Sequence, residues 1–145
     1  MNLFTIGFTQ KSAKQFFNLI KSNNIDMLVD IRLNNKSQLA GFTKGDDLQY
    51  FLGEICNCKY QHCVEYAPTK ELLDDYKKKK ISWDDYVATY IPLITKRNGI
   101  AKFIDRFDKY NNVCLLCSEA EPKQCHRRLL AELIEKQLSI STKHI

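Results

Sequence analysis

The sequence predicts an α/β fold: a single domain with a mainly parallel sheet of about four strands and helices on both faces. Two patterns support this class. Short apolar, β-prone segments alternate along the chain with segments whose apolar residues recur at helical spacing. A length of 145 residues with 44% apolar residues suits one buried core. Neither an internal repeat nor a linker divides the chain, so we predict one domain over residues 1–145.

The first elements form a β-α-β unit. The apolar segment from Leu3 to Gly7 ends at a glycine, as a first strand would. Ser12 then precedes apolar residues at helical spacing, which is typical of a capped helix. A continuous apolar run within residues 25–31 predicts a second strand that is covered on both faces.

The same alternation continues to the C-terminus. Ser82 begins a sequence that resembles a capping box, and Pro92 is expected to kink or break the helix that follows. We expect Pro122 in the first turn of the last helix. The predicted elements are helices from Asp46 or Asp47 to residue 55, over 69–76, from 83 and over 100–107, strands over 59–64 and 113–117, and a last helix over 122–137.

The composition and charge of the chain indicate which partners and which compartment to expect. Lys and Arg number 22 against 17 Asp and Glu, and this net charge of +5 favours anionic partners such as phosphates. No apolar run reaches the roughly 18 residues of a membrane span, and no leader peptide is recognisable, so we expect a cytoplasmic protein without a membrane partner. The six cysteines are then expected to be reduced. We interpret Cys56, Cys58 and Cys63 as small core residues, and Lys77 to Lys80 as a solvated helix end.

The segment from Cys117 to Arg127 contains the largest group of candidate catalytic and ligand-binding residues. Cys117 lies at the predicted tip of a strand, and helical spacing turns His126 toward the sheet, with Cys125 and Arg127 on its flanks. An imidazole and free helix N–H groups would stabilise a thiolate on Cys117. The same N–H groups and Arg127 would bind a phosphate or carboxylate. The alternative is that Cys117 and His126 are buried core residues without a chemical role.

A second group follows another strand of the predicted sheet. Alternation puts Asp30 and Arg32 on one face, where they either pair or reach into a cleft above the sheet. Thr5 would add a polar wall. The alternative is that the pair only holds the following loop in place.

A metal site is the third interpretation. Cys117, Cys125 and His126 are all potential ligands of zinc or iron. On a regular helix, however, the adjacent Cys125 and His126 point in different directions. We therefore predict no metal or other cofactor.

Several stretches together resemble the family named domain of unknown function 488. They are Thr5-Ile6-Gly7, Asp30-Ile31-Arg32, the loop from Ser37 to Lys44, Ala67-Pro68-Thr69-Lys70, Leu115 to Glu119 and Cys125-His126-Arg127-Arg128. The resemblance covers nearly the whole chain and implies a compact intracellular α/β domain, found mainly in prokaryotes, without an established reaction. It points to Cys117, Glu119, Cys125, His126 and Arg127, opposed by Gly7, Asp30 and Arg32. Many relatives carry His after the opening glycine, where this chain has Phe8-Thr9.

The leading hypothesis is a thiol-dependent enzyme that acts on a phosphate-bearing ligand, such as a nucleotide or nucleic acid, at the C-terminal edge of the sheet. Cys117 would be the nucleophile and His126 the base, with Asp30 or Glu119 orienting them. Arg127 and Arg32, helped by Thr5, Gly7 and Cys125, would hold the anion. The alternatives are a non-catalytic module that binds nucleic acid or anions, and a Cys/His metal-site protein. Nothing in the sequence predicts the oligomeric state.

Overall fold

Five parallel strands organise the protein in the computed structural model, which describes residues 1–145. The spatial order of the strands is β3-β2-β4-β1-β5. Their bounds are β1 Asn2–Gly7, β2 Met27–Asp30, β3 Lys59–His62, β4 Asn112–Cys117 and β5 Thr142–His144. The predicted α/β class with a parallel sheet is confirmed. The sheet has one strand more than expected, because β5 adds to the edge of β1.

Six helices connect and cover the strands: α1 Ala13–Ser22, α2 Gly45–Cys56, α3 Lys70–Lys77, α4 Trp83–Lys96, α5 Gly99–Phe107 and α6 His126–Leu138. The caps read from the sequence are present. Ser12 and Ser82 each form a reciprocal capping box, and the Thr69 hydroxyl accepts a hydrogen bond from the first turn of α3. Lys44, rather than an aspartate, precedes α2, so that Asp46 and Asp47 lie in its first turn, where negative charge favours the helix dipole.

Two helix boundaries differ from the prediction. The helix α4 runs through Pro92 to Lys96. Proline removes only one backbone hydrogen bond. Buried Tyr90 and Ile94 hold the helix against the core on either side of the exposed Pro92. The helix α6 starts at His126, so Pro122 lies in the preceding loop and not in the first helical turn.

The sheet separates two apolar cores. One core lies between the sheet and α3 to α6 and includes Leu115 and Cys117, while the other lies under α1 and α2 and includes Cys114 and Leu116. Strand alternation therefore turns Cys117 toward α6. Cys58 and Cys63 are buried core residues as predicted, and Cys56 is half-buried. None of the six helices combines the length and apolarity that crossing a membrane requires.

Candidate functional site

The C-terminal ends of three neighbouring strands form the base of a cleft. Gly7 of β1 pairs in register with Cys117 of β4, and Asp30 of β2 pairs with Leu116. Parallel strands bring their carboxyl ends to one sheet edge, the usual place for a ligand in α/β proteins. The cleft above this edge measures about 990 Å³. The residues that line it include Arg32, Tyr76, Trp83, Cys117, Cys125 and His126.

The loop between β4 and α6 determines how the sulfur and imidazole groups meet. Cys125 is the residue before the first helical turn and has an extended backbone, with φ of −139° and ψ of 138°. His126 is the first helical residue, so the two neighbours do not follow helical spacing. Their ligand atoms and the Cys117 Sγ atom consequently lie within 4.8 Å of one another. The expectation that Cys125 and His126 diverge was wrong, because it assumed a regular helix from Pro122 onward.

Cys117 and His126 are in direct contact. The Cys117 Sγ atom lies 3.7 Å from both ring nitrogens of His126. The Nε2 atom of His126 donates to the carbonyl oxygen of Ile31 at 2.8 Å. Because that bond needs a proton on Nε2, the lone pair of the neutral ring is on Nδ1. The side of the ring is packed against Tyr90, with centroids 5.7 Å apart.

The surroundings of Cys117 favour its thiolate. A hydrogen bond from the Cys125 thiol, backbone N–H groups of Ser118 and Glu119, and the positive charge of Arg127 lower the pKa of Cys117, although burial acts in the opposite direction. The same hydrogen bond, together with burial, raises the pKa of Cys125 well above its ordinary value. Of the two sulfur atoms, that of Cys117 is therefore the more readily ionised. Its residual exposure of 5%, and 6% for His126, opens onto the cleft.

Arg127 is buried and does not line the cleft. Its guanidinium donates from Nη1 to the carbonyl oxygen of Glu119 and from Nη2 to that of Ala120 at 3.1 Å. Its Nη1 atom also lies 3.7 Å from Cys125 Sγ. Arg127 thus fixes the loop that follows β4, and its predicted role as an anion ligand finds no support in this position.

Asp30 and Arg32 form a buried, bidentate ion pair. The Arg32 Nε and Nη2 atoms donate to the Asp30 carboxylate at 2.8 and 2.6 Å. Nη2 also donates to the carbonyl oxygen of Thr43 at 2.7 Å, and the Tyr60 hydroxyl donates to Asp30 at 2.6 Å. The pair therefore holds the loop after β2 in place, which was one of the two interpretations of the sequence. Arg32 lines the cleft as well, and its Nη1 atom makes no hydrogen bond within the protein.

The remaining predicted residues have different positions. Glu119 is exposed and lines the cleft. Thr5 is buried, with its hydroxyl 2.7 Å from Nδ1 of His144, and does not line the cleft. A Cβ atom on Gly7 would lie 2.7 Å from the carbonyl carbon of Glu119 and 3.0 Å from Nη1 of Arg127, so Gly7 permits a close approach of chains. Thr5 and Gly7 therefore contact other groups of the protein.

One comparison bears on identity. The family model described as domain of unknown function DUF488 matches residues 12–134 of the 145-residue chain. The chain belongs to the DUF488 family. No curated protein and no solved structure matches it. In this DUF488 protein the matched region includes the ion pair of β2 and the entire loop from Cys117 to Arg127.

Two features of the cleft were missed by the sequence analysis. Tyr60 supports Asp30 from the neighbouring strand, a contact that depends on sheet order and has no local signal. The aromatic residues of α3 and α4 form a continuous wall: Trp83 stacks on Tyr86 at 5.0 Å, and Tyr76 lies 5.6 Å from Trp83. The helical spacing of Trp83 and Tyr86 is compatible with one face of α4, but spacing alone does not assign that face to the cleft.

Proposed function

We propose that this DUF488 protein is a thiol-dependent enzyme that acts on a phosphate-bearing or otherwise anionic ligand in the cleft. The observation that carries the proposal is the contact of Cys117 Sγ with the His126 ring at 3.7 Å, where the cleft reaches the sheet edge. The Cys117 sulfur is the nucleophile. His126 is the base, and the Ile31 carbonyl orients it.

The chemistry would proceed by group transfer. The Cys117 thiol gives its proton to Nδ1 of His126, and the sulfur forms a bond to the electrophilic atom of the ligand. The bond to the leaving group breaks, and the leaving group takes the proton back from His126. Water then attacks the group held on the sulfur while His126 takes a proton from that water, and as the bond to sulfur breaks this proton returns to it and restores the thiol. The Cys117 sulfur is equidistant from both ring nitrogens, so the ring must turn to bring Nδ1 toward the thiol, while the surroundings of Cys117 already favour its thiolate.

Arg32 is the best-supported anion ligand. Its Nη1 atom is free for a ligand, while Asp30 and Thr43 hold the rest of the guanidinium in place. A planar guanidinium held in this way binds phosphate or carboxylate with little loss of side-chain entropy. Lys77 and Lys123 add positive charge to the wall of the cleft, and Glu119 can orient the ligand or the attacking group.

Alkylation of the cysteines tests the nucleophile. With iodoacetamide near neutral pH, in metal-free protein, we expect Cys117 to be labelled before Cys56, although Cys56 is the more exposed residue. Burial raises the pKa of Cys56, so exposure and thiolate character predict opposite orders. His126→Ala should remove the advantage of Cys117, and His126→Asn keeps more of the side-chain volume as a folding control. Faster labelling of Cys56 would contradict the proposal.

Protection by anions tests the ligand class. Inorganic phosphate or adenosine monophosphate should slow the labelling of Cys117 in the wild type and much less in Arg32→Gln. Arg32→Gln also leaves Asp30 without its cation, so its fold must be verified by circular dichroism. An equal effect of phosphate on both folded proteins would remove Arg32 from the proposed site.

A non-catalytic module that binds nucleic acid is the second candidate. The exposed lysines at 77–80 and the net charge of +5 favour it. Binding of a single-stranded oligonucleotide should then weaken steeply with salt, because phosphate contacts release counterions. Fluorescence anisotropy across a salt series measures this. The candidate fails if no binding occurs at low salt.

A further inference from the structure

Three soft ligand atoms converge at the edge of the sheet. Cys117 Sγ, Cys125 Sγ and a His126 ring nitrogen all lie within 4.8 Å of one another. Zinc bonds of about 2.3 Å to sulfur and about 2.0–2.1 Å to nitrogen, in a tetrahedron, separate sulfur and nitrogen ligands by about 3.6 Å. The distance from Cys117 Sγ to the His126 ring is 3.7 Å. The Cys117 sulfur is equally far from Nε2, so it lies over the ring and not along the Nδ1 lone pair, and the imidazole must turn before the three groups can surround one ion.

His126 has the second contact that zinc-bound histidines usually make. A metal-ligating histidine generally donates its other ring N–H to a carbonyl or carboxylate, which fixes the tautomer and the ring orientation. In this protein Nε2 donates to the Ile31 carbonyl at 2.8 Å, and Nδ1 is left with the lone pair. Tyr90 packs against the same ring. The Ile31 carbonyl thus favours the tautomer whose Nδ1 atom is able to bind a metal, and a rotation of the ring is what would turn that atom toward the sulfur atoms.

The cluster also contains the groups that two cysteine ligands require. Arg127 Nη1 lies 3.7 Å from Cys125 Sγ, and its own position is fixed by two carbonyl groups. The guanidinium favours the thiolate forms that a metal requires of its cysteine ligands, although its positive charge also opposes a divalent ion.

We propose that Cys117, Cys125 and His126 form a binding site for Zn²⁺, with the fourth coordination position facing the cleft. Three protein ligands and one open position are typical of zinc sites that remain accessible to small molecules. The inference rests on the proposed function in one respect, namely that Cys117 is shared. When Zn²⁺ is bound, the Cys117 sulfur is a ligand and is not available as a nucleophile, so the ion regulates the thiol.

Cobalt and zinc titrations test the site on the full-length protein without an activity assay. One equivalent of Co²⁺ should give the thiolate-to-cobalt charge-transfer absorption of a tetrahedral sulfur site, and Zn²⁺ should displace it. Cys125→Ser should weaken Zn²⁺ binding by at least about 100-fold, the upper range for loss of an outer-shell partner alone. Cys58→Ser is the matched control, because Cys58 and Cys125 are each 3% exposed and Cys58 belongs to the other core. We expect this variant to bind like the wild type.

Labelling of the wild type guards against a variant that does not fold. One equivalent of Zn²⁺ should protect Cys117 and Cys125 from alkylation, as mapped by mass spectrometry, and leave the rate at Cys56 unchanged. The inference is overturned if Co²⁺ and Zn²⁺ do not bind, or if binding persists in folded Cys125→Ser. Rapid labelling of Cys117 in a protein that binds no metal would support the proposed function and refute the zinc site. Metal binding to a protein whose metal-free Cys117 is unreactive would leave only the zinc site.

Discussion

Gly7→Ala is the most direct test of how the strand ends and the loop after β4 fit together. The new methyl group would lie 2.7 Å from the carbonyl carbon of Glu119 and 3.0 Å from Arg127 Nη1. The strand end cannot move away freely, because Gly7 pairs with Cys117 in the centre of the sheet. The Glu119 carbonyl must therefore shift, and its hydrogen bond from buried Arg127 is lost or lengthened.

The cost follows from these two effects. Overpacking typically costs about 1–3 kcal/mol, and the loss of a hydrogen bond to a charged group costs about 1.5–3 kcal/mol. We expect the free energy of unfolding to fall by about 3–5 kcal/mol, which lowers the melting temperature by roughly 10 °C for a domain of this size. Urea denaturation followed by circular dichroism measures the change.

Gly53→Ala provides a control with the opposite sign. Gly53 is exposed within α2, and a Cβ atom there would meet nothing within 4 Å. The substitution should stabilise the protein by up to about 1 kcal/mol through helix propensity. If Gly7→Ala changes the free energy of unfolding by less than about 1 kcal/mol, the loop adapts easily and the close approach is unimportant.

Three further predictions concern charge and ionisation. Asp30→Asn should lower the free energy of unfolding by about 3–5 kcal/mol, because Arg32 keeps a buried charge without its partner. The control Asp74→Asn, at an exposed ion pair, should leave the urea midpoint unchanged. Equal effects of the two substitutions would refute the distinction between the buried and the exposed pair. Burial and the charge of Arg127 lower the pKa of His144, so the free energy of unfolding should fall as pH decreases below about 6.5. His144→Gln should flatten this pH dependence. Hydrogen exchange of β5 measures the effect, and an unchanged pH profile in the variant would contradict the prediction. Burial raises the pKa of Cys58 to about 12 and of Cys63 to about 11, so both should resist iodoacetamide at pH 8 in folded protein, and early labelling at either would show local opening.

The elements that follow local patterns could be predicted from the sequence. Ser12 and Ser82 cap helices through contacts that span three residues, and the apolar runs of β2 and β4 reveal strands buried on both faces. The strand β5 was missed because Thr142–His144 is short, polar and largely exposed at the sheet edge. It forms only by pairing with β1 from the other end of the chain, and no neighbouring residue encodes that pairing.

The site shows the same division between local and distant causes. Spacing placed Cys117 and His126 near one another, since a strand tip and the next helix must meet at a sheet edge. It could not predict that Cys125 has an extended backbone, which turns both sulfur atoms toward one imidazole. That geometry depends on the loop, and the loop depends on Arg127.

Arg127 shows that a charged residue in a motif can support the backbone of a loop. The carbonyl groups of Glu119 and Ala120 turn inward beside Gly7, and buried carbonyls must be hydrogen-bonded. Arg127 donates to both carbonyl groups, and its Nη1 atom also lies 3.7 Å from Cys125 Sγ. In the proposed function it is Arg32 that contacts the anion, because its Nη1 atom makes no hydrogen bond within the protein. Arg127→Lys should consequently damage folding and metal binding together, whereas Arg32→Gln should weaken anion protection and spare the cobalt spectrum.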